Sequence, residues 1–342
     1  MKSYVLILKG CNKKLACLEF ETLWQTYFHE EIKLLEVQNV IYTFKSKILD
    51  IHKDPRILSR LTFTNYLGEV YFELENIDKY AEEIEKLNLK EYEGKSFKLR
   101  IKKSRHEFKT NIKEKDIAKP IWDKFSSPKV NLENPDVEFN LVVCENKKMF
   151  FTKKLYENEK EYLERMPKNR PIAKPYTLKS DMARASINLT KIKTGILLDP
   201  FCGIGGILLE AEDMGFKVIG NDISWNDLRD MKINFQHYYP KSNYIKILSD
   251  SKTRVLKENS IDALVTDIPY GKSSRKLGTD LYEEFLKNAV TYLKPGCRLV
   301  VIYANFVEFK HLALKYFEEV DEIEQYINRS MTRYILILEN KK

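Results

Sequence analysis

From Gly195 onward the chain alternates short apolar runs with helical patterns, and four successive runs end in an aspartate. The runs are 195-GILLDP-200, 217-KVIGND-222, 245-IKILSD-250 and 261-IDALVTDIP-269, with a fifth, 297-CRLVVIYAN-305, behind them. Each is short and rich in Ile, Val and Leu, the texture of parallel strands buried on both faces. The stretches between them, 206-GILLEAEDMG-215, 224-SWNDLRDMKINFQHYY-239 and 281-LYEEFLKNAVTYL-293, carry helical spacing. The first reaches Gly215, a C-terminal stop, and the third halts before Lys294 and Pro295. This alternation predicts a doubly wound α/β sheet, whose ligands sit in the crevice at the carboxyl ends of the strands. Asp199, Asp222, Asp250 and Asp267 all fall there. Any one of them could be a loop cap. Four at successive strand ends point to one site.

The end of the chain breaks the alternation. After a helical pattern at 307–317 come two strand-like segments with no helix between them, 320-VDEIEQYIN-328 and 331-MTRYILILEN-340, joined by a turn at Arg329 and Ser330. A parallel sheet closed by an antiparallel hairpin is an uncommon ending for a plain nucleotide-binding fold.

The residues at the strand ends differ in chemistry. In 199-DPFCGIGG-206 the glycines Gly203, Gly205 and Gly206 follow a strand and open a helix, so the backbone can come close to a ligand and offer unpaired N–H groups. The spacing is neither the dinucleotide GxGxxG nor a P-loop. Asp199 can accept from a ligand ammonium. Asp222 stands where this architecture holds ribose hydroxyls. Asp250, followed by Ser251, can accept from an adenine amine. The fourth strand end reads 267-DIPYG-271. Here Asp267 and the Ile268 carbonyl can accept the two N–H bonds of an exocyclic amine and aim the nitrogen lone pair. Pro269 stiffens the loop, and the Tyr270 ring can stack on a base. The five cysteines (Cys11, Cys17, Cys144, Cys202, Cys297) are scattered without a CxxC or Cys/His cluster, so neither a zinc site nor a disulfide framework is expected. None lies beside 267–271, so no thiol nucleophile stands next to that loop in sequence.

This layout resembles the class I S-adenosylmethionine-dependent methyltransferases, and DIPYG resembles their [DN]PPY signature for amino groups, with Ile268 in place of proline. The resemblance implies a Rossmann-like seven-stranded sheet with an antiparallel C-terminal hairpin and S-adenosyl-L-methionine as cofactor. It implies that Tyr176, Thr177 and Leu178 close over the cofactor, that Asp199, Phe201, Cys202, Gly203 and Gly205 line its methionine part, that Asp222 and Ile223 hold ribose and adenine, and that Asp250 and Ser251 meet the adenine amine. Asp267, Ile268, Pro269 and Tyr270 would carry the chemistry; no metal is implied.

The first half is α+β in texture. The stretch 165-RMPKNRPIAKPYTLKSDMARASINL-189, with 96-SFKLRIKK-103 and the Asn-Pro-Asp turn at 134–136, resembles THUMP-domain RNA methyltransferases, nearest to the archaeal-type tRNA (guanine-10) N2-methyltransferases. The implied organisation is a ferredoxin-like domain at 1–48, a THUMP RNA-binding domain at 49–156, a linker at 157–176 and the catalytic domain at 177–342. Lys98, Arg100, Lys102, Lys103 and Arg105 would meet tRNA phosphates, which position rather than specify. The implied reaction is methylation of the N2 amine of guanosine 10 in tRNA to the mono- and dimethyl products. Guanosine 6 and rRNA are alternatives within the family, and the eukaryotic counterpart uses a small activator subunit. A formal net charge of +8 agrees with a polyanionic partner. The first residues are too weakly apolar for a secretory signal and no run approaches a membrane span, so a cytoplasmic location is expected. Two rival classes stand beside this one: a DNA amino-methyltransferase, and an RNA-binding protein that kept the fold without the chemistry.

Overall fold

The computed structural model describes residues 1–342 apart from 49, 52, 53, 104–109, 176, 271–279 and 342. It divides into two compact units: Met1–Trp24, Phe28–Leu58 and Phe63–Glu159 form the first, while Gln25–Tyr27, Ser59–Thr62 and Lys160–Lys342 form the second.

The first unit is built on one continuous mixed sheet. Its strands are β1 (Lys2–Leu8), β2 (Leu35–Gln38), β3 (Ile41–Ser46), β4 (Thr64–Leu74), β5 (Ser96–Lys103), β6 (Lys129–Val130), β7 (Val137–Val143) and β8 (Met149–Glu157), in the order β2-β3-β1-β4-β8-β7-β5-β6. Helix α1 (Lys13–Phe28) brings Phe20 and Trp24 against Tyr4 and Phe44 in an aromatic cluster with centroids 4.9–6.0 Å apart. Beyond the short α2 (Arg56–Arg60), α3 (Tyr80–Lys86) and α4 (Glu114–Trp122) place Ile84, Ile117 and Ile121 in a core with Phe97, Phe139 and Phe151. The residues alternating with these along β1, β7 and β8 are buried too: Val5, Ile7, Val142 and Phe150 form a second cluster with Ile41 and Tyr66.

The second unit carries the site. Helix α5 (Ser180–Asn188) leads into β9 (Ile196–Asp199), α6 (Gly206–Asp213), β10 (Lys217–Asp222), α7 (Trp225–Tyr238), β11 (Ile245–Leu248), β12 (Ile261–Asp267), α8 (Leu281–Tyr292), β13 (Leu293–Ala304), α9 (Lys310–Ala313), β14 (Glu318–Asn328) and β15 (Met331–Glu339). The sheet order is β11-β10-β9-β12-β13-β15-β14, with β9 to β13 parallel and β15 antiparallel to both of its neighbours. The last strand is thus inserted between the fifth and sixth. Its second half, 335-ILIL-338, is wholly buried, as a strand flanked on both edges must be. The core joins Leu264, Leu299, Val301, Leu336 and Leu338 to Leu286, Phe309 and Phe317.

The strands and helices of this half fall where the sequence places them, with one correction. The helix expected over 307–317 shrinks to Lys310–Ala313, because β14 begins at Glu318 and the chain reaches it through short turns such as Tyr316 N to Ala313 O. The polar stretch after Lys160 is anchored rather than loose. Buried Arg165 and Arg184 both bond Glu210 and Asp213 of α6 at 3.2 Å or less, and Arg170 donates to the Arg165 carbonyl at 2.8 Å. Among the described residues no helix is long and apolar enough to cross a membrane.

Candidate active site

A crevice of about 730 Å³ opens at the carboxyl ends of β9, β10, β11 and β12. It is lined by Thr177, Leu178, Asp199, Phe201, Cys202, Gly203, Asp222, Ile223, Asp250, Ser251 and the whole of 267–270, among others. Sequence reasoning named all of these. Tyr176 and Arg105 lie outside the described residues. Gly205 is not among the lining residues. A Cβ on it would stand 2.8 Å from Met231 Cγ, so it faces α7, and its φ of +85° serves the turn that starts α6. Gly206 takes its place in the lining. Gly203, at φ +50°, has no atom within 4 Å of where a Cβ would be, and its face toward the crevice is open.

The four aspartates are not equivalent. Asp199 Oδ1 accepts from Thr266 Oγ1 at 2.7 Å and from the Phe201 N–H at 3.1 Å. Burial pushes its pKa up to about 7; those hydrogen bonds oppose the rise, and Asp222 and Asp267 add to it. Asp222 is braced by the glycine turn: Gly203 N–H and Ser224 N–H donate to its two oxygens at 2.8 Å each. Burial raises its pKa too, against those two bonds. Each oxygen keeps a second lone pair for a ligand hydroxyl. Asp250 holds its own loop, accepting from Lys252 N–H at 3.0 Å.

Asp267 ends β12 with its Oδ1 buried and without a hydrogen-bond partner among the described residues. Burial lifts its pKa to about 7, opposed by Arg333, whose Nη2 lies 3.8 Å from Oδ2. The Ile268 N–H donates to the Ile302 carbonyl at 3.1 Å, and Tyr282 donates its hydroxyl to the Pro269 carbonyl at 2.7 Å, so the loop is tied at two points. Arg333 Nη2 also donates to Tyr270 Oη at 2.7 Å, with the guanidinium 6.0 Å from the ring centroid. Arg333 was not found from the sequence. Its place in a terminal strand, 66 residues past Asp267 by number (333 − 267), carries no local signal; only the pairing of Arg333 with Ala304 at the end of β13 brings it to the loop. Thr266, whose hydroxyl bonds Asp199, and Leu281 in the crevice lining were also missed. Cys202 sits in the wall as a neutral thiol, because burial drives its pKa well above the ordinary range.

Of the predicted RNA-contacting residues, Lys98 lies 3.7 Å from Glu138, Arg100 is 2.9 Å from Glu114, and Lys102 pairs with Glu157. Lys103 ends β5 in a half-buried position. Among the described residues no group of three or more His, Cys, Asp or Glu side chains could hold a metal ion.

A parallel sheet with the last strand inserted antiparallel, a glycine turn after the first strand and carboxylates at the next strand ends together define a class I S-adenosylmethionine-dependent methyltransferase. A family model described as RMKL-like, methyltransferase domain, matches residues 167–334, and one described as DNA methylase matches 14–232, ending before β12. The tRNA (guanine(10)-N2)-dimethyltransferase of Methanothermobacter thermautotrophicus is 33% identical over 287 residues, covering 82% of this chain and 83% of that protein. The enzyme of the same name from Methanocaldococcus jannaschii is 35% identical over 231 residues, 63% of this chain and 64% of that protein. The chain belongs to the tRNA (guanine(10)-N2)-dimethyltransferase family. The crystal structure of TrmN from Thermus thermophilus has the same fold, with a TM-score of 0.55 at 19% identity over 99% of both chains.

The crevice fits the cofactor by its own chemistry. It offers a buried carboxylate, Asp199, to a cationic amino-acid end; a doubly braced carboxylate, Asp222, to a pair of hydroxyls; and an open glycine face at Gly203 for close approach.

Proposed function

We propose that this chain transfers methyl groups to the exocyclic N2 amine of guanosine 10 in tRNA, giving N2-methyl- and then N2,N2-dimethylguanosine. The observation that carries the reading is Asp267: a buried carboxylate with one unpartnered oxygen, in the crevice wall, in a loop fixed by Ile302 and Tyr282. Bound S-adenosylmethionine supplies an electrophilic methyl. The chain supplies the rest. Asp199, Phe201, Cys202 and Gly203 hold the amino-acid end, with Thr177 and Leu178 over it; Asp222 and Ile223 hold ribose and adenine; Asp250 and Ser251 face the adenine amine.

An amine conjugated to a purine ring is a weak nucleophile. Asp267 Oδ1 accepts one N–H and the Ile268 carbonyl the other, which holds the lone pair in line for attack. Tyr270 offers its ring for stacking, held by the bond from Arg333 to its hydroxyl. Arg333 is a positioning residue, acting through Asp267 and Tyr270. After transfer the amine carries a proton, which Asp267, with its raised pKa, is placed to receive.

We assign the first unit to substrate binding, as a ferredoxin-like module at 1–48 joined to a THUMP module at 49–156, with 157–176 as connection and 177–342 as the catalytic domain. Lys103 and Arg105 join the ion-paired Lys98, Arg100 and Lys102 as phosphate contacts, and the protein works in the cytoplasm. The match of residues 14–232 to a DNA methylase description favours a second reading, methylation of a DNA amine. One experiment separates them: incubate the chain with cofactor and either tRNA transcript or duplex DNA, then analyse nucleosides by mass spectrometry. N2-methylated guanosine from tRNA, lost in Asp267→Ala, is the expected result. Methylated DNA bases with unmodified tRNA would overturn it, and no product until a small partner subunit is added would show that an activator is required.

A further inference from the structure

The hairpin of β14 and β15 extends past the end of β13 on the crevice side of the sheet. Ala304, Arg333 and Gln325 form one rung across β13, β15 and β14. The next rung is Asn305, Thr332 and Tyr326: Asn305 N–H donates to the Thr332 carbonyl at 2.9 Å, Asn305 Oδ1 accepts from Thr332 N–H at 3.2 Å, and Tyr326 pairs with Thr332. Strand spacing of about 4.8 Å makes that rung roughly 10 Å wide. Above it stand residues that the fold does not need. Phe306 is 56% exposed, Tyr326 68% and Ile327 37%. Phe306 meets the Tyr270 ring edge-on at 5.9 Å, so this ring adjoins the crevice loop.

Charge along the hairpin is segregated. Glu318, Glu319, Asp321, Glu322 and Glu324 fill the half away from the crevice, and residues 325–333 carry Arg329 and Arg333 with no acid. A polyanion reaching the crevice from this side meets Arg329 and exposed rings. In the first unit Lys98, Arg100 and Lys102 have carboxylate neighbours.

We propose that Phe306, Tyr326, Ile327 and Arg329 form an RNA-binding rim that holds the nucleotides flanking the target guanosine while the target base enters the crevice. Rings stack on unpaired bases whatever their identity, and the Arg329 guanidinium meets a phosphate. The rim rests on the RNA reading above and adds to it a binding surface in the catalytic unit. It accounts for the apolar exposure at one end of an otherwise acidic hairpin.

The test uses the full chain with tRNA transcript and measures three quantities separately: half-saturating tRNA concentration in single-turnover methylation, direct tRNA affinity, and titration with S-adenosylhomocysteine. Tyr326→Ala and Phe306→Ala should each weaken tRNA binding about tenfold, the loss of one base–aromatic stack. Tyr326→Trp should restore it. Arg329→Ala should lower the salt dependence of binding by about one phosphate contact. Cofactor affinity and melting temperature should stay unchanged in all four. Wild-type-like tRNA affinity in Tyr326→Ala, Phe306→Ala and Arg329→Ala would overturn the rim even if tRNA is methylated. Failure of the parent reading looks different: wild type then leaves tRNA unmethylated, and the binding measurement still reports on the rim.

Discussion

Removing the Arg333 charge should move the pH dependence of methyl transfer. Arg333 Nη2 is 3.8 Å from Asp267 Oδ2, and the two side chains are only 13% and 16% exposed. At an effective dielectric of about 20, two unit charges at that distance attract by about 4 kcal/mol. Halving this for solvent and relaxation leaves about 2 kcal/mol, or about 1.5 pH units at 1.36 kcal/mol each. Asp267 already sits at about 7 because burial disfavours its charge, and Arg333 opposes that rise. Without Arg333 the carboxyl therefore holds its proton to higher pH, and its midpoint moves up by about 1.5 pH units. Since the ionised form is the better acceptor for the amine, the acidic limb of the rate profile shifts with it.

Arg333→Ala should then cost roughly 15-fold at about pH 7 through ionisation alone, and that part should be recovered by about pH 9. A residual, pH-independent loss is expected because Tyr270 loses the donor at 2.7 Å that holds its ring. Arg333→Lys keeps the charge but not the planar fork, so it should retain the acidic midpoint and show only the second loss. The assay is single-turnover transfer to tRNA across pH with saturating cofactor, which isolates the chemical step from product release. If Arg333→Ala lowers the rate by one factor at every pH and leaves the midpoint in place, the electrostatic account of Asp267 is wrong.

Asp199→Asn should raise the melting temperature above about pH 7 while weakening cofactor binding: a carboxyl whose folded pKa is raised contributes stability below its ordinary pKa and loses it as pH rises through about 7. The gain is bounded by about 4 kcal/mol, and calorimetric titration with S-adenosylhomocysteine reads the cost. Asp222→Ala leaves the Gly203 and Ser224 N–H groups without their acceptor, so a stability loss of about 1–3 kcal/mol should accompany a cofactor affinity at least about tenfold lower, checked by urea denaturation and titration. Glu210→Ala leaves Arg165 and Arg184, whose side chains are 8% and 5% exposed, to share Asp213, and should cost about 3 kcal/mol by urea denaturation, the low end for a buried pair that loses one partner. Gly205→Ala forces a Cβ to 2.8 Å from Met231 at φ +85°, for a loss of about 1–3 kcal/mol in the same assay.

What the sequence revealed and what it hid divide along one physical line. Local chemistry was legible. Ile/Val/Leu runs mark buried strands, Gly215 at φ +82° ends α6, and an aspartate after each run marks the crevice, so Asp199, Asp222, Asp250 and Asp267 could be placed before any coordinates. Partners set by pairing across the sheet were not. Nothing around Thr266 announces that its hydroxyl bonds Asp199, and the polar texture of 157–175 conceals that Arg165 is buried against Glu210. Among the glycines, spacing marks the turn, but only the turn's geometry decides that Gly203 and Gly206 line the crevice while a Cβ on Gly205 would meet Met231.

Arg333 shows why the uncommon ending matters. A strand added parallel at the edge of the sheet would bring its carboxyl end to the crevice and its first residues to the far side. An antiparallel strand inserted beside β13 does the reverse: its first residues, Met331 to Arg333, arrive at the crevice rim, level with Ala304. The insertion therefore supplies the catalytic loop with a cation, where β9, β10 and β12 end in aspartates. It also makes the turn before β15 the overhang that presents Tyr326 and Arg329 beside Phe306. One topological choice thus sets both the charge beside Asp267 and the surface a substrate strand would first meet. Substitutions at Arg333 and at Tyr326 should accordingly separate: the first moves the midpoint of the pH profile, and the second alters tRNA affinity at a fixed pH profile.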